Sequence, residues 1–486
     1  MKKFKLLLAA FVATLFAFVG GNAFADGYSI TIKNASANHT YEAYQVFGGD
    51  LYKEDGAKTP TLSNIHWGTG VTAFTYDGES DAAKIAEKLS GQSYDSETAK
   101  AFAKEVSAHL VETTGESKIE GENLVITVPK PGYYFVKDAD ASQKDQTDFA
   151  YTRFMMQVTG AEAVEVKNGV PSVQKKVKEN STGDWQDAAD YDFKDDVPFQ
   201  LTATLPSHFD DYSEYYLEFS DTLSAGLTYN KDAKVSLVNG NDKTDITSLF
   251  DGIDGDGSSF KINNLKSIPG VTSSSKIVVE YTAKLNENAV IGSAGNPNTV
   301  KLIYSNNPNE TGKGEKSSKG TTTKDTVKVF TYQTIINKLD ENKKALAGAG
   351  FTLYKDGKEF KKLPAGEATT FEFKGLDAGN YKLEESTTPD GYNTIKPIEF
   401  TINAKYDPEA DDPQLTELSG DVTSGVAKFD ANKADGSLKA DIVNRKGSLL
   451  PSTGGMGTTI LYVIGSILVL VAAVLLITKK RMDSAK

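Results

Sequence analysis

The residues best placed to do chemistry are two lysines, two carboxylates and two asparagines that alternation puts on apolar strand faces. In Ile336-Asn337-Lys338-Leu339-Asp340, Lys338 shares a face with Ile336. In Tyr381-Lys382-Leu383-Glu384-Glu385, the residues Tyr381, Leu383 and Glu385 fall together. In Ala440-Asp441-Ile442-Val443-Asn444, Asn444 is in phase with Ala440 and Ile442. A second set repeats the pattern. Lys175 lies between the inward valines Val173 and Val177, and Asp221 is in phase with Tyr215, Leu217 and Phe219. Asn298 is in phase with Val300, Leu302 and Tyr304, and so is Asn306. Charges that face a core are costly unless paired or neutralised. Burial lowers the pKa of a lysine and raises that of a carboxyl group. A neutral amine is a nucleophile, and a protonated acid can polarise a carboxamide and shuttle protons.

Bringing such side chains together requires strands. Short alternating runs at 28–32, 123–128, 215–219, 276–282, 300–304 and 381–383 are separated by Gly, Asn, Asp and Pro turns. This predicts an all-β protein of tandem immunoglobulin-like, Cna-type β-sandwich domains. The first third is an exception. Segments 81–89 and 96–110 have apolar residues at helical spacing, each behind a capping residue, Asp81 or Ser96. The first domain should therefore carry a helical insertion. Pro171 marks entry to a new strand set. The Gly-, Lys-, Ser- and Thr-rich stretch 306–325 reads as a long loop before a last strand at 326–332.

Composition narrows the chemistry. The chain has 486 residues and no cysteine, which excludes thiol catalysis, Cys metal sites and disulfides together. His39, His66, His109 and His208 are scattered without ligand spacing. The acidic stretches 251–256 and 407–412 lack calcium-loop spacing and read as polar turns. No metal, cofactor or turnover enzyme is expected. Lys2, Lys3 and Lys5 precede an apolar stretch, and Ala23-Phe24-Ala25 has the form of a signal-peptidase site, which places cleavage at Ala25/Asp26. An apolar run at 460–477 is about 18 residues, roughly 27 Å as a helix, enough to cross a hydrocarbon core. Lys479-Lys480-Arg481 beyond it would stay cytoplasmic. The formal net charge is −13, and each removable end carries a net +3, so residues 26–453 sit near −19. Such a surface disfavours nucleic acid.

Before that run stands Leu450-Pro451-Ser452-Thr453-Gly454. Pentapeptide, apolar span and basic tail together resemble the LPxTG cell-wall sorting signal of Gram-positive surface proteins. The resemblance implies that a sortase cleaves between Thr453 and Gly454 and joins the Thr453 carbonyl to an amine. Pro451 keeps Leu450 out of the helical region, so the site stays extended.

The segment Tyr381-x-Leu383-x-Glu385-Ser386-x-Thr388-Pro389-x-Gly391-Tyr392 resembles the E-box of Gram-positive pilins, departing at Ser386 and Thr388, where Thr and Ala are usual. This resemblance implies an autocatalytic isopeptide bond, Lys338–Asn444, with Glu385 as catalyst and ammonia as the leaving group. Segments 171–178, 219–223 and 295–300 resemble the D2 domain of major pilins. They imply a second bond, Lys175–Asn298, catalysed by Asp221, with Asn306 as the other acceptor in phase. Each bond would brace the first and last strands of its domain. The first domain has no such set. Its early Lys33 shares a face with Ser29 and Thr31 and is expected to be solvated. Val164-Glu165-Val166-Lys167-Asn168 resembles the pilin acceptor motif without its Tyr-Pro pair, which implies Lys167 as the polymerisation lysine, with the solvent-facing Lys176 or Lys178 as alternatives.

The expected organisation is a signal peptide at 1–25, an N-terminal pilin domain at 26–168, a D2-like domain at 169–332, a Cna-B-type domain at 333–447 and a sorting signal at 448–486 with its span at 459–478. The family implied is the sortase-assembled major pilin, a secreted, wall-anchored backbone subunit of a surface pilus that supports adhesion. Its implied partners are sortase, identical pilin subunits, minor tip and base pilins, the peptidoglycan precursor and a host or matrix ligand. The rival readings are a monomeric wall-anchored adhesin and a secreted wall hydrolase.

Overall fold

The computed structural model describes residues 27–33, 39–53, 60–90, 92, 96–121, 123–139, 142, 147, 150–151, 153–165, 169–308, 317–447 and 456–483. Alternating strands pack as pairs of sheets. Residues 28–165 form two four-stranded sheets. One has the spatial order Glu116–Glu120, Asn123–Val128, Tyr28–Lys33, Ala161–Glu165, and the other Thr61–Trp67, Tyr41–Tyr52, Gly132–Asp138, Arg153–Val158. Every residue of Gly132–Asp138 is buried. Tyr134 and Val136 pack with Ile30, Ile32 and Ile126, while Tyr133 and Phe135 pack with the helices Ala82–Leu89 and Glu97–Ser107. The helical insertion therefore covers the second face of that sheet. Its helices start as expected: Asp81 accepts the Lys84 N–H at 3.1 Å and Ser96 the Ala99 N–H at 3.2 Å. The second helix stops short of residue 110, because Leu110 leaves it to bridge Val71.

The second sandwich spans 172–330. Its first sheet runs Trp185–Gln186, Ser172–Lys178, Asp196–Thr204, Lys276–Leu285, Lys234–Asn239, Asp242–Asp245, with Leu227–Tyr229 also paired to Lys276–Leu285. The facing sheet runs Ala188–Asp190, Asp325–Phe330, Asn296–Ser305, Leu217–Leu223, Ser259–Ile262, and Lys319–Thr321 also pairs with Asn296–Ser305. The strand expected at 326–332 is split. Asp325–Phe330 closes this sandwich, and Tyr332–Leu339 opens the next, pairing Tyr332 with Leu376. Thr331 between them is buried, its hydroxyl bonded to the Leu376 carbonyl at 3.2 Å.

The third sandwich sets a sheet of Thr370–Leu376, Tyr332–Leu339, Ser437–Val443 and Asp430–Asn432 against Lys358–Leu363, Gly350–Lys355, Gly379–Thr387, Ile398–Tyr406 and Leu415–Ser424. Its first and last strands are parallel neighbours, with Lys338 opposite Ile442. Phe330 and Ala188 pack into its core, so the second and third sandwiches abut. The Asp187 N–H meets the Pro408 carbonyl at 2.6 Å, and Lys328 pairs with Asp412 at 2.7 Å. A last helix, Met456–Asp483, contains Leu461–Lys480, long and apolar enough to cross a membrane.

Candidate functional site

Strand parity delivers Lys175 into the core of the second sandwich from one sheet, and Asp221 and Asn298 from the other. On neighbouring antiparallel strands Asn298 lies opposite Leu223 and Asp221 opposite Val300, so the two form a diagonal pair on one face. All three are buried, Lys175 completely. Lys175 Nζ lies 2.5 Å from Asp221 Oδ1 and 2.7 Å from Asn298 Oδ1. The rings of Phe199 and Tyr281 flank the amine, with centroids at 5.5 and 5.6 Å. Burial pushes the Lys175 amine down to about 8, against the opposing pull of the Asp221 and Asp325 charges. A minor fraction of free amine, far above that of an ordinary lysine, is thus available at near-neutral pH beside a carboxamide carbon. Asn306, in phase with Asn298, lies eight positions further along, about 27 Å at strand spacing. It abuts the first sandwich instead, where its carbonyl accepts the Tyr151 N–H at 2.6 Å.

The third sandwich repeats the arrangement. Lys338 comes from the first strand, Asn444 follows the last, and Glu385 faces them from Gly379–Thr387 in the other sheet. Lys338 Nζ contacts Asn444 Oδ1 and lies 3.2 Å from Glu385 Oε1. Asn444 Nδ2 donates to Glu385 Oε1 at 2.8 Å. The Ile395 N–H holds Glu385 Oε2 at 3.0 Å. Thr388, one of the two departures from the E-box, adds its hydroxyl to the same oxygen at 3.5 Å. Lys338 is fully buried, and burial pushes its amine below the ordinary lysine range while the Glu385 charge opposes the shift.

Each centre thus sets an amine, a carboxamide and a carboxyl group within hydrogen-bond reach inside a closed apolar core. The chemistry open to it is amide exchange with loss of ammonia. Residues 193–308 match the family model for Gram-positive pilin backbone subunit 2, Cna-B-like domain, and residues 332–412 match that for SpaA, prealbumin-like fold domain. Two stretches of the chain, in its second and third sandwiches, thus match Gram-positive pilin families. The trypsin-resistant surface T6 protein of Streptococcus pyogenes serotype M6 is 26% identical over 385 residues, 65% of this chain and 70% of that protein. The solved three-domain T6 backbone pilin of that serotype superposes with a TM-score of 0.56 at 18% identity, covering 88% of this chain and all of that one. The full-length major pilin SpaD of Corynebacterium diphtheriae gives 0.47 at 17% identity over 88% and 99%. Family and fold are those of structural subunits, not of enzymes.

Four expectations change or fall outside the structure. Asn298 lies two strands before the last one, so a Lys175–Asn298 link ties Ser172–Lys178 to Asn296–Ser305, and Lys319–Thr321 and the last strand Asp325–Phe330 are left outside it. Lys176 does not face open solvent. It sits in the joint to the third sandwich, 2.9 Å from Asp187 and 2.8 Å from Glu409. Lys33 is half-buried rather than fully solvated. The Ala25/Asp26 junction, Lys167 and the pentapeptide Leu450 to Gly454 lie outside the described residues.

Sequence reasoning also missed Tyr281. Its hydroxyl donates to Asp221 Oδ2 at 2.5 Å, accepts from Asn298 Nδ2 at 2.7 Å and lies 3.2 Å from Lys175 Nζ. The signal was available: Tyr281 is in phase with Ile277 and Val279, and a buried tyrosine hydroxyl needs a polar partner. Among the described residues, Asp192, Asp195 and Asp377 are the one acidic group close enough to share a cation, and the Lys355 ammonium already lies against Asp192 and Asp377.

Proposed function

We propose that this pilin is polymerised by a sortase into a wall-anchored surface pilus, with the Thr453 carbonyl joined to Lys167 of the next subunit and finally to a peptidoglycan precursor. Within each subunit, amides Lys175–Asn298 and Lys338–Asn444 form autocatalytically, with Asp221 and Glu385 as the acid–base groups. Minor tip and base pilins and a host or matrix ligand complete the assembly, which serves adhesion. The observation that carries the covalent reading is the burial of a lysine in contact with both an asparagine and a carboxyl group, once in each of two sandwiches.

The proposal also accounts for where the centres lie. With Lys167 as acceptor, tension enters at the end of the first sandwich and leaves at Thr453. The first sandwich is then off the load path, while the second and third lie on it. The second and third are the ones with buried amine, carboxyl and carboxamide sets.

Boiled wall extracts on a denaturing gel test the polymer. A ladder of high-mass species is expected from the wild type and a single band from Lys167→Ala. A single band from the wild type would favour the monomeric adhesin and end the polymer reading. A ladder that survives Lys167→Ala would refute only the acceptor. Intact mass tests the internal bonds, because each removes one ammonia.

A further inference from the structure

The two centres differ in how the carboxyl group reaches the amide that must leave. Glu385 does so alone: its Oε1 lies 3.2 Å from Lys338 Nζ and accepts from Asn444 Nδ2 at 2.8 Å. Asp221 is one methylene shorter. Its Oδ1 contacts Lys175 Nζ at 2.5 Å, but the Asn298 amide group bonds elsewhere, to Tyr281. The Tyr281 hydroxyl fills the gap, 2.5 Å from Asp221 Oδ2 and 2.7 Å from Asn298 Nδ2. Tyr281 comes from the lysine's own sheet, on Lys276–Leu285, paired opposite Phe199. Asp221 and the tyrosine hydroxyl together thus span what a glutamate spans in the third sandwich.

We propose that Tyr281 is a catalytic proton relay for the Lys175–Asn298 bond, carrying the proton that the departing nitrogen needs from Asp221 to Asn298 Nδ2. This rests on the reading of that bond given above. The step begins with Lys175 as the free amine and Asp221 protonated on Oδ2, the oxygen beside the tyrosine hydroxyl. The Nζ lone pair attacks Asn298 Cγ, the new C–N bond forms, and the carbonyl electrons move to Oδ1. Nζ then gives a second proton to Asp221 Oδ1. The proton already on Asp221 passes from Oδ2 to the tyrosine oxygen as the tyrosine proton passes to Nδ2. The carbonyl re-forms, the Cγ–Nδ2 bond breaks and ammonia leaves. Tyrosine and protonated Asp221 are regenerated. Burial raises the Tyr281 pKa well above its ordinary value, which suits a hydroxyl that passes protons without standing as an anion.

A purely structural tyrosine would also seek a hydrogen bond, but one partner would satisfy it. This hydroxyl contacts all three reacting groups. The test is fresh cell-free synthesis of the full chain, sampled over time by intact mass and peptide mapping. In Tyr281→Phe, ammonia loss at Lys175–Asn298 should slow by about 10²-fold, the usual range for lost general acid–base help, while loss at Lys338–Asn444 proceeds as in the wild type. In the double variant Asp221→Glu, Tyr281→Phe, the longer carboxyl reaches the amide directly and the rate should recover. An unchanged rate in Tyr281→Phe overturns the relay. A slow single variant that the glutamate does not rescue assigns Tyr281 a packing role and overturns it as well. If the wild type maps with free Lys175, the bond itself is wrong and the relay falls with it, a result distinct from the other two.

Discussion

Glu385 accepts a hydrogen bond from the side-chain amide of Asn444 at 2.8 Å, and this one contact fixes the reactive carboxamide against both the acid and Lys338. Removing the acid should therefore do two things. Glu385→Ala leaves a buried amine without its counter-charge, a change of about 3–5 kcal/mol when one partner of a buried pair is deleted. It also removes the proton carrier, so the third sandwich should keep its ammonia while the second still loses one. Intact mass and a thermal melt read the two effects separately. Glu385→Asp should be nearly as slow to react. The shortened carboxyl has no tyrosine to extend it, and its nearest hydroxyl, Thr388, sits on the other oxygen at 3.5 Å.

Asn444→Ala removes the acceptor and with it the covalent closure between positions 106 residues apart. By the loop-closure model used for disulfides, a loop of that size contributes about 4.7 kcal/mol through the unfolded state. The variant's third sandwich should unfold at correspondingly lower denaturant concentration, with a larger exposed area and hence a steeper slope. A midpoint and slope equal to the wild type would mean that the bond does not exist in the native chain.

Lys175 gives a pH dependence with a defined sign. In Asn298→Ala no amide can form, so the buried amine remains titratable, with a folded pKa of about 8 against 10.5 in the unfolded chain. Below pH 8 the amine is protonated in both states and the full burial penalty weakens the fold. Between 8 and 10.5 the unfolded chain binds more protons than the folded one, so stability rises with pH. Above 10.5 the penalty is gone. The stability gap between wild type and Asn298→Ala should narrow by about 3 kcal/mol across that window. A wild type with the proposed amide has no titratable amine at Lys175 and serves as the reference. A gap that is flat or widens with pH would rule out a buried free amine in the variant.

The reactive side chains were legible because strand parity is a period of two, and a Lys, Glu or Asn in phase with Ile, Leu or Val stands out. Helix caps at Asp81 and Ser96 were legible for the same reason, as local rules with local partners. What stayed hidden depends on distance along or across the sheets. Parity cannot separate Asn298 from Asn306, because both obey it; their position along the strand does. Tyr281 passes as one more core aromatic until Lys276–Leu285 is set against the sheet that carries Asp221. Lys176 looks exposed by alternation, yet Glu409, 233 residues away, folds over it. The break at Thr331 leaves no Gly or Pro to mark it.

The position of Asn298 two strands before the last has a mechanical consequence. With the proposed Lys338–Asn444 amide in place, a chain loaded through the third sandwich enters along Tyr332–Leu339, crosses at Lys338 to Asn444 and leaves, so everything between is shielded. With the proposed Lys175–Asn298 amide in place, load in the second enters at Ser172–Lys178, crosses from Lys175 to Asn298 and must still run through residues 299–330. Those residues form the antiparallel pair Asn296–Ser305 and Asp325–Phe330, with Asn298 opposite Val327. Tension therefore pulls on the two adjacent ends of that pair and opens it rung by rung, instead of shearing all its hydrogen bonds at once. Three features resist: Asp325 accepts the Lys175 N–H at 2.6 Å, Asp325–Phe330 also pairs with Ala188–Asp190, and Asn296–Ser305 also pairs with Leu217–Leu223. Single-molecule pulling between Lys167 and the C-terminal end should then give one reversible step per subunit, on the order of 100 Å, the extended length of the unshielded segment. In Lys175→Ala the shielded stretch 176–297 joins the load path and the step should grow to roughly 500 Å. A wild-type step of the larger size would show an unbonded second sandwich, and a wild type with no step would show that the strand pair holds without covalent help.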